Sequence, residues 1–491
     1  MRRWLAPIAC LAPTLLAGCI DLAPAYHRPP SPTPPTFPTG PAYAPAVGPS
    51  QAAVGWRDFF ADPKLRTVIE QALANNRDLR VAIANVVVAR AQYHVQRAYL
   101  FPTITANAQA TYVHEPASVV GGGAFAGAIP GGANSPSSFN EKLFSLTAAT
   151  SNYEVDLFGK LRDLSRAAQE RYFATRQARD AAQITLVSEV AGDYLAIGAD
   201  RAQLAISEDT EKSSAASLDL IRRRFGSGID SQLDVSQAET ILQQAKFDVA
   251  RLTTQVAQDR NALELVVGAP VSDDLLPTDV GGSVAVLERL PNALSSDVLL
   301  DRPDVLESED LLRADNLNIG AARAAFFPSI DLTGDGGLTS LALSTLFKGS
   351  SATWTFVPTI SQTLFDAGTN KGNLEVAKAQ RQIGVATYEK TIQTAFREVA
   401  DALAERGTID DQLAAQQALT AASETSWRIY QARYERGSDT YQNVLISERT
   451  YYAAQLTLVA TQLAKQTNLV TLYAALGGGL EGPAGPPSAA R

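Results

Sequence analysis

Few side chains of this sequence have the types and spacing that chemistry requires. Its 491 residues include three histidines and two cysteines, and both cysteines lie within the first nineteen positions. These residues cannot form a cluster with the spacing of metal ligands. No Ser/His/Asp set, phosphate-binding loop or pair of carboxylates in a pocket is recognisable. The sequence therefore predicts neither an enzyme nor a cofactor site, and 42 Lys+Arg against 51 Asp+Glu argue against a nucleic-acid binder.

Covalent chemistry is predicted only at Cys19. The apolar run 5–16 follows two arginines, which is the layout of a secretory signal peptide. It ends in Leu16-Ala17-Gly18-Cys19, which resembles the lipobox of bacterial lipoproteins, where cleavage precedes the cysteine and its thiol and new amine are acylated. Residues 1–18 are thus predicted to be a signal peptide and Cys19 a lipidation site. The alternative is an ordinary signal peptide with a chance cysteine.

The acylated cysteine would attach the protein to a membrane. Several acyl chains anchor a protein stably where a single chain would not. Ile20 stands where an aspartate would resemble an inner-membrane retention signal, which favours the outer membrane. Residues 19–55, rich in proline, alanine and small polar residues, are predicted to be an extended tether between lipid and folded body. Residues 477–491, rich in glycine and proline, are predicted to be a disordered tail.

The remaining chain contains an internal repeat. Residues 99–104 (YLFPTI) return as 325–330 (AFFPSI), and 224–228 (RFGSG) return as 433–437 (RYERG). Markers that recur in the same order at nearly constant spacing indicate a duplicated unit. The predicted bounds are 56–270 for repeat 1, 271–298 for a linker and 299–476 for repeat 2.

Each repeat contains two segments with a period of two residues. In the first, the even-numbered residues from Ile104 to Tyr112 share an apolar face, and the odd-numbered residues from Thr103 to Thr111 share a polar one. This pattern suits a strand between lipid and a wet lumen, although a strand of a soluble sandwich would show it too. The four strands are predicted at about 102–115, 143–158, 329–336 and 351–365.

Four strands are too few for a closed barrel. Closed bacterial barrels start at eight strands, and an open sheet edge in lipid is prohibitively costly. Further strands must therefore come from other copies of the chain, since two copies supply eight and three supply twelve.

Long helices make up the rest of each repeat. Residues 62 to about 100 are predicted to be one helix before the first strands. Residues 159–225 and 366–436 contain no strong helix breaker and would each form a rod of roughly 100 Å. Shorter helices return after predicted tips at 226–233 and 437–445. A narrow apolar seam with a polar remainder suits the wall of a hollow helical barrel; an elongated coiled coil without a lumen is the alternative.

The segment 300–305 (LDRPDV) has a structural interpretation. Asp301 can cap a helix, Pro303 suits its first turn, and Asp304 can complete a capping box. We therefore interpret it as a helix start without catalytic role.

Several motifs, spread over nearly the whole mature chain, share one resemblance. They are the lipobox at Cys19, the Phe-Pro-Thr/Ser-Ile pairs at 101–104 and 327–330, and the segments 300–305, 224–228, 434–437 and 475–479, with Asp439, Tyr441, Leu445 and Arg449. Together they resemble the outer-membrane factor family of tripartite efflux pumps, the TolC-like channels, and specifically its lipoprotein branch.

The resemblance implies an α+β membrane protein that assembles as a homotrimer. Its outer-membrane β-barrel of twelve strands, four per protomer, would be continuous with a long periplasmic α-helical barrel, girdled by a belt that includes 271–298. Such a channel is a passive exit for substrates delivered by an inner-membrane efflux transporter and a periplasmic adaptor. The resemblance also implies that outer-membrane lipid contacts the channel. A non-conducting periplasmic coiled-coil scaffold lipoprotein is the alternative function.

The resemblance also implies a gate at the tips. Gly228 and Gly437 would form the tip turns. In this family, apolar and carboxylate rings at the second tip constrict the pore. The position one turn beyond that tip usually bears an aspartate but here is Ile446. A polar ring at Gln442 and an apolar ring at Ile446 would close the pore more by steric blockage and dewetting than by charge. The candidates for the constriction are Gln442, Asn443 and Ile446. The candidates for the clasp between hairpins are Arg433, Tyr434, Asp439 and Arg449, facing Asp230 and Asp234.

Overall fold

A computed structural model describes residues 21–43, 55–116, 138–282, 284–285 and 295–479. The predicted signal peptide, Cys19 and residues 480–491 of the predicted tail lie outside these ranges. Within them the chain forms two compact units. One contains the described parts of 1–27, 89–171 and 312–383, and the other those of 28–88, 172–311 and 384–491.

The first unit contains a four-stranded antiparallel sheet of order β1-β2-β3-β4. Its strands are β1 Thr105–Pro116, β2 Ser138–Glu154, β3 Ser329–Ser340 and β4 Ala352–Ser361. The predicted bounds were wrong by several residues at most ends. β2 begins five residues before 143, because residues 138–142 stay paired with β1. It ends four residues before 158, because the chain bulges at Asn152 (φ 54°) and then turns. β3 continues to 340 rather than 336, because Gly336 and Gly337 stay paired with β4.

The register gives the sheet two different faces. Trp354, Phe356 and Ile360 of β4 lie opposite Gly336, Gly334 and Ile330 of β3, so they share one face. Tyr112 of β1 lies opposite Lys142 on that same face. The other face carries mainly hydroxyl, amide and carboxylate side chains: Asn107, Gln109, Thr111, Ser145, Thr147, Asp331, Thr333, Asp335, Thr355 and Thr359.

Eight α-helices complete the described chain. They are α1 Trp56–Phe59, α2 Pro63–Asn75, α3 Arg77–Ala98, α4 Lys160–Gly226, α5 Gln232–Val267, α6 Pro303–Ala324, α7 Thr369–Glu435 and α8 Tyr441–Ala475. The long helices α4 and α7 each contain 67 residues, and α5 and α8 return with 36 and 35. Both halves thus share the order helix, two strands, long helix, shorter helix.

None of the helices in the described ranges has an 18-residue stretch apolar enough to cross a membrane.

The single helix predicted over 62–100 is two helices. The break is at Asn76, whose side chain accepts a hydrogen bond from the Leu79 backbone N–H (2.7 Å) and donates one to the Val266 carbonyl (2.8 Å). An asparagine side chain that accepts a hydrogen bond from a free N–H caps the start of a helix, so it favours a second helix here over one continuous helix. The second bond ties the break to the end of α5.

An apolar seam along α5 is largely buried in the second unit. Val235, Ala238, Leu242, Leu252 and Leu263 are each at most 7% exposed. The residues near the tip pack with Tyr434, Tyr441, Val444 and Leu445 of the other hairpin, and those near the far end join the main core around Trp56, Phe60 and Tyr194.

The helix start at 300–305 differs from the expectation. Asp301 ends a preceding 3-10 turn, and Arg302 is the cap, since its carbonyl accepts from the Leu306 N–H at 2.9 Å. Asp304 binds the buried guanidinium of Arg302 (2.7 Å) in place of a capping box, and Arg302 also donates to Glu398 (3.0 Å). The arginine therefore joins the start of α6 to α7.

The described part of the predicted tether, residues 21–43, packs against the folded chain. In the first unit the Asp21 carboxylate accepts from Arg166 at 2.6 Å, and the Pro24 carbonyl accepts from the Asn316 amide at 2.6 Å. A chain segment held by such contacts is not a free tether, so this prediction was wrong for residues 21–43.

Contacts in the second unit hold the later part of the same segment. Arg28 forms a bidentate pair with the buried carboxylate of Glu309, with distances of 3.1 and 2.5 Å. Phe37 is buried and stacks on Phe396 with ring centroids 5.0 Å apart.

Candidate functional site

The tips of the two helical hairpins have the same backbone turn. Gly228 and Gly437 both have φ of 74°, a left-handed conformation that a side chain would strain. In the first tip the Ile229 N–H donates to the Arg224 carbonyl (3.0 Å). In the second tip the Ser438 N–H donates to the Arg433 carbonyl (2.9 Å). These bonds define a Schellman ending of α4 and α7.

Each tip also contains an arginine–aspartate pair six residues apart. In the first tip Arg224 donates to both oxygens of Asp230, at 2.8 and 3.2 Å. In the second tip, Arg433 Nε lies 3.3 Å from Asp439 Oδ2. Sequence reasoning did not assign Arg224 a role in the clasp, although its alignment with Arg433 in the repeat was a signal that could have done so.

Tyr434 and Asp230 connect the two hairpins. The Tyr434 hydroxyl donates to Asp230 Oδ2 at 2.7 Å, the oxygen that also accepts from Arg224 Nε. The Arg224 guanidinium lies 4.8 Å from the centre of the Tyr434 ring, within cation–π range. Burial, followed by the hydrogen bond to Asp230, raises the pKa of Tyr434, so its hydroxyl remains a donor.

Arg449 makes the second connection. From α8 its Nη2 donates to Thr240 Oγ1 of α5 at 3.0 Å. Of the six predicted clasp residues, Asp230, Tyr434 and Arg449 therefore make hydrogen bonds between the hairpins of one chain.

The other three predicted clasp residues stabilise their own tips. Asp234 forms a capping box with Ser231 at the start of α5. Asp439 accepts from the Asn443 amide (2.7 Å) and from the Thr440 N–H (2.8 Å), besides its contact with Arg433. These two hydrogen bonds and the Arg433 charge lower the pKa of Asp439.

The constriction candidates lie on the first turns of α8. Gln442 is exposed and Ile446 is 57% exposed, which is unusual for a large apolar side chain. Asn443 is half-buried and its amide is used by Asp439. A groove of about 300 Å³ beside them is lined by Ala422, Ser423, Ser426, Tyr430, Asn443, Ile446, Ser447 and Thr450.

Two polar contacts further along α8, one of them buried, were missed by sequence reasoning. Ser214 of α4 donates to the buried carboxylate of Glu448 at 3.4 Å. The Tyr452 hydroxyl donates to Asp248 of α5 at 3.1 Å and lies 2.8 Å from Ser207 Oγ of α4. Hydrogen bonds therefore join the two hairpins at several levels behind the tips. These contacts hold the helices of the two hairpins together.

Known proteins resemble the chain over almost its whole length. The family model described as outer membrane efflux protein matches residues 68–269 and 294–478. The toluene efflux pump outer membrane protein TtgC of Pseudomonas putida is 42% identical over 468 residues, covering 95% of this chain and 93% of that protein. The cation efflux system protein CusC of Escherichia coli is 38% identical over 464 residues, covering 94% and 97%.

Solved structures agree with these similarities. The open state of the Neisseria gonorrhoeae MtrE outer membrane channel superposes with a TM-score of 0.82 at 35% identity, covering 94% of this chain and 99% of that one. The two segments matched by the family model fall on the two repeats. The chain belongs to the outer membrane efflux protein family.

Proposed function

We propose that this protein is the outer-membrane exit channel of a tripartite efflux system and that it acts as a homotrimer. The observation that carries the proposal is the four-stranded sheet with one apolar and one polar face. Within the described residues, the outer edges of β1 and β4 pair with no other strand.

The exposure of the apolar face supports a lipid environment. Tyr112, Trp354 and Ile360 are 66%, 80% and 70% exposed in the single chain. Lipid would cover such a face, and aromatic residues are typical of its boundaries. Open edges must be paired there, because the hydrocarbon offers no hydrogen-bond partners. Three copies of four strands make twelve, enough for a closed barrel with the polar face inside.

The channel would conduct passively and perform no chemistry. Substrates would be delivered by an inner-membrane transporter and a periplasmic adaptor. The relatives include a protein named for toluene efflux and one named for cation efflux, so the names of family members refer to different cargoes. We infer that the tips of α4–α5 and α7–α8 form the periplasmic gate. Asp230, Tyr434 and Arg449 would hold the hairpins together, while Gln442 and Ile446 would narrow the pore.

Lipidation of Cys19 is part of the proposal. Asp21, two residues later, is fixed to Arg166, so an acylated cysteine would be held close to the folded chain. The lipid would then add to anchoring by the sheet.

The first experiment measures the mass and conductance of the full-length protein in detergent and in planar bilayers. We expect the mass of three chains, discrete single-channel currents, and acyl chains on Cys19 by intact mass spectrometry. A monomeric or dimeric protein that carries no current would contradict the channel and favour a scaffold lipoprotein.

A second prediction concerns the constriction. Replacing Ile446 with aspartate places three carboxylates around the proposed pore, so we expect divalent cations to reduce the current of the variant more strongly than that of the wild type. Gln237 occupies the matching position of repeat 1, 209 residues earlier, and Gln237→Asp serves as the control. Equal cation sensitivity of the Ile446→Asp channel and the wild type would refute this placement of Ile446.

A further inference from the structure

Glu448 is an acid buried between the two hairpins. It is 7% exposed and lies on α8, where its carboxylate accepts a hydrogen bond from Ser214 of α4 at 3.4 Å. Within the described residues, no lysine or arginine forms an ion pair with it. A buried carboxylate with one long hydrogen bond is poorly compensated when it is ionised.

The internal repeat shows what a compensated version of this position looks like. The tip glycines Gly228 and Gly437 are 209 residues apart, so Glu448 corresponds to Glu239. Glu239 Oε1 lies 3.6 Å from Arg222 Nη2 of its own hairpin, and both side chains are about half exposed. The counterpart of Arg222 is Gln431, so repeat 2 retains the acid but lacks the cation.

The groups around Glu448 do not replace that cation. Arg449, its neighbour on α8, donates to Thr240 and acts on Glu448 only through its charge. Tyr441, also of α8, is buried and interacts with Glu448 electrostatically, and Ser214 is the polar group from α4. These are the charged, titratable and polar groups that act on the carboxylate.

We infer that Glu448 is a proton-sensitive contact between the hairpins, which holds α8 against α4 when neutral and weakens their packing when ionised. This inference rests on the proposed gate function, because the hairpins it joins are those that would close the pore. An ionised carboxylate gains free energy by reaching water, and here it can do so only if α8 moves away from α4.

The direction of the pH effect follows from burial. Burial raises the pKa of Glu448, while the Ser214 hydrogen bond and the Arg449 charge act in the opposite direction. An acid whose pKa is raised in the packed form stabilises that form fully at pH values below its ordinary pKa. The stabilisation is lost as the pH rises through the raised pKa. The gate should therefore open more readily as the pH increases above the ordinary range of glutamate.

The test compares single-channel currents of trimers in planar bilayers between about pH 4 and pH 8, a range that brackets glutamate titration. For the wild type we expect a several-fold higher open probability at the high end. Glu448→Gln, which mimics the neutral acid, should give low open probability at every pH. Glu239→Gln should keep the wild-type pH dependence.

A gain-of-cation variant gives an independent result. Gln431→Arg restores in repeat 2 the pair seen in repeat 1, so we expect its pH transition to move to lower pH. A wild-type channel with flat pH dependence, or a Glu448→Gln channel with wild-type slope, would overturn the inference. A wild-type trimer that carries no current at any pH would instead overturn the proposed channel function.

Discussion

Replacing Gly337 with alanine is expected to impair assembly of the sheet strongly, whereas the same change at Gly336 should be tolerated. A Cβ at Gly337 would overlap the Leu146 carbonyl oxygen and lie 2.7 Å from the Thr147 Cα of β2. Both are backbone atoms, so no side chain can rotate away, and β2 and β3 must separate. Overpacking of this kind costs about 1–3 kcal/mol or more per site, and the proposed barrel contains the site three times.

The neighbouring glycine is a matched control. Gly336 points to the opposite face, and a Cβ there meets no atom within 4 Å. We would measure trimer yield in the membrane fraction and the temperature at which purified trimers dissociate. Gly337→Ala should give little trimer or a clearly lower dissociation temperature, and Gly336→Ala should match the wild type. Equal behaviour of both variants would show that β2 and β3 are not closely paired at this point.

The two glycines also show why strand ends were hard to predict. Alternation of apolar and polar residues identified all four strands and the composition of their faces, because that period depends only on local sequence. The predicted end of β3 was residue 336, and glycine in general weakens a strand when only local sequence is considered. In the structure, close approach of β2 requires a residue without a side chain at 337, and pairing with β4 keeps the strand extended.

Long-range contacts explain the error at the N-terminal segment. The composition of residues 21–43 is that of an extended chain without fixed partners. Its fixed position depends on partners such as Asn316, 292 residues from Pro24, and Glu309, 281 residues from Arg28. No local pattern indicates such contacts.

For the candidate site, the repeat predicted the turns but not the partners. Gly228 and Gly437 follow from the matched segments, and both tips have the same turn. The equivalent aspartates Asp230 and Asp439 nevertheless make different contacts, since only Asp230 hydrogen bonds to the other hairpin. Local sequence could not distinguish them, because the difference arises from how two hairpins pack.

That difference allows the second prediction of large effect. Replacing Asp230 with alanine should make the proposed gate leak. The Asp230 side chain is 7% exposed, and its loss removes a hydrogen bond from Tyr434 and the ion pair with Arg224. Hydrogen bonds to charged groups contribute about 1.5–3 kcal/mol each, and every 1.4 kcal/mol or so changes an equilibrium about tenfold. We therefore expect open probability in bilayers to rise by about tenfold or more.

Asp439→Ala is the matched control for this variant. It removes the same side chain from the same turn, but its partners Arg433, Thr440 and Asn443 all belong to its own tip. It should loosen the second tip locally and leave open probability near the wild-type value. If both variants leaked equally, the result would indicate that closure depends on the local rigidity of the turns. If neither leaked, the contact between Tyr434 and Asp230 would have no part in closure. A leak in Asp230→Ala alone would assign closure to the contact between the hairpins.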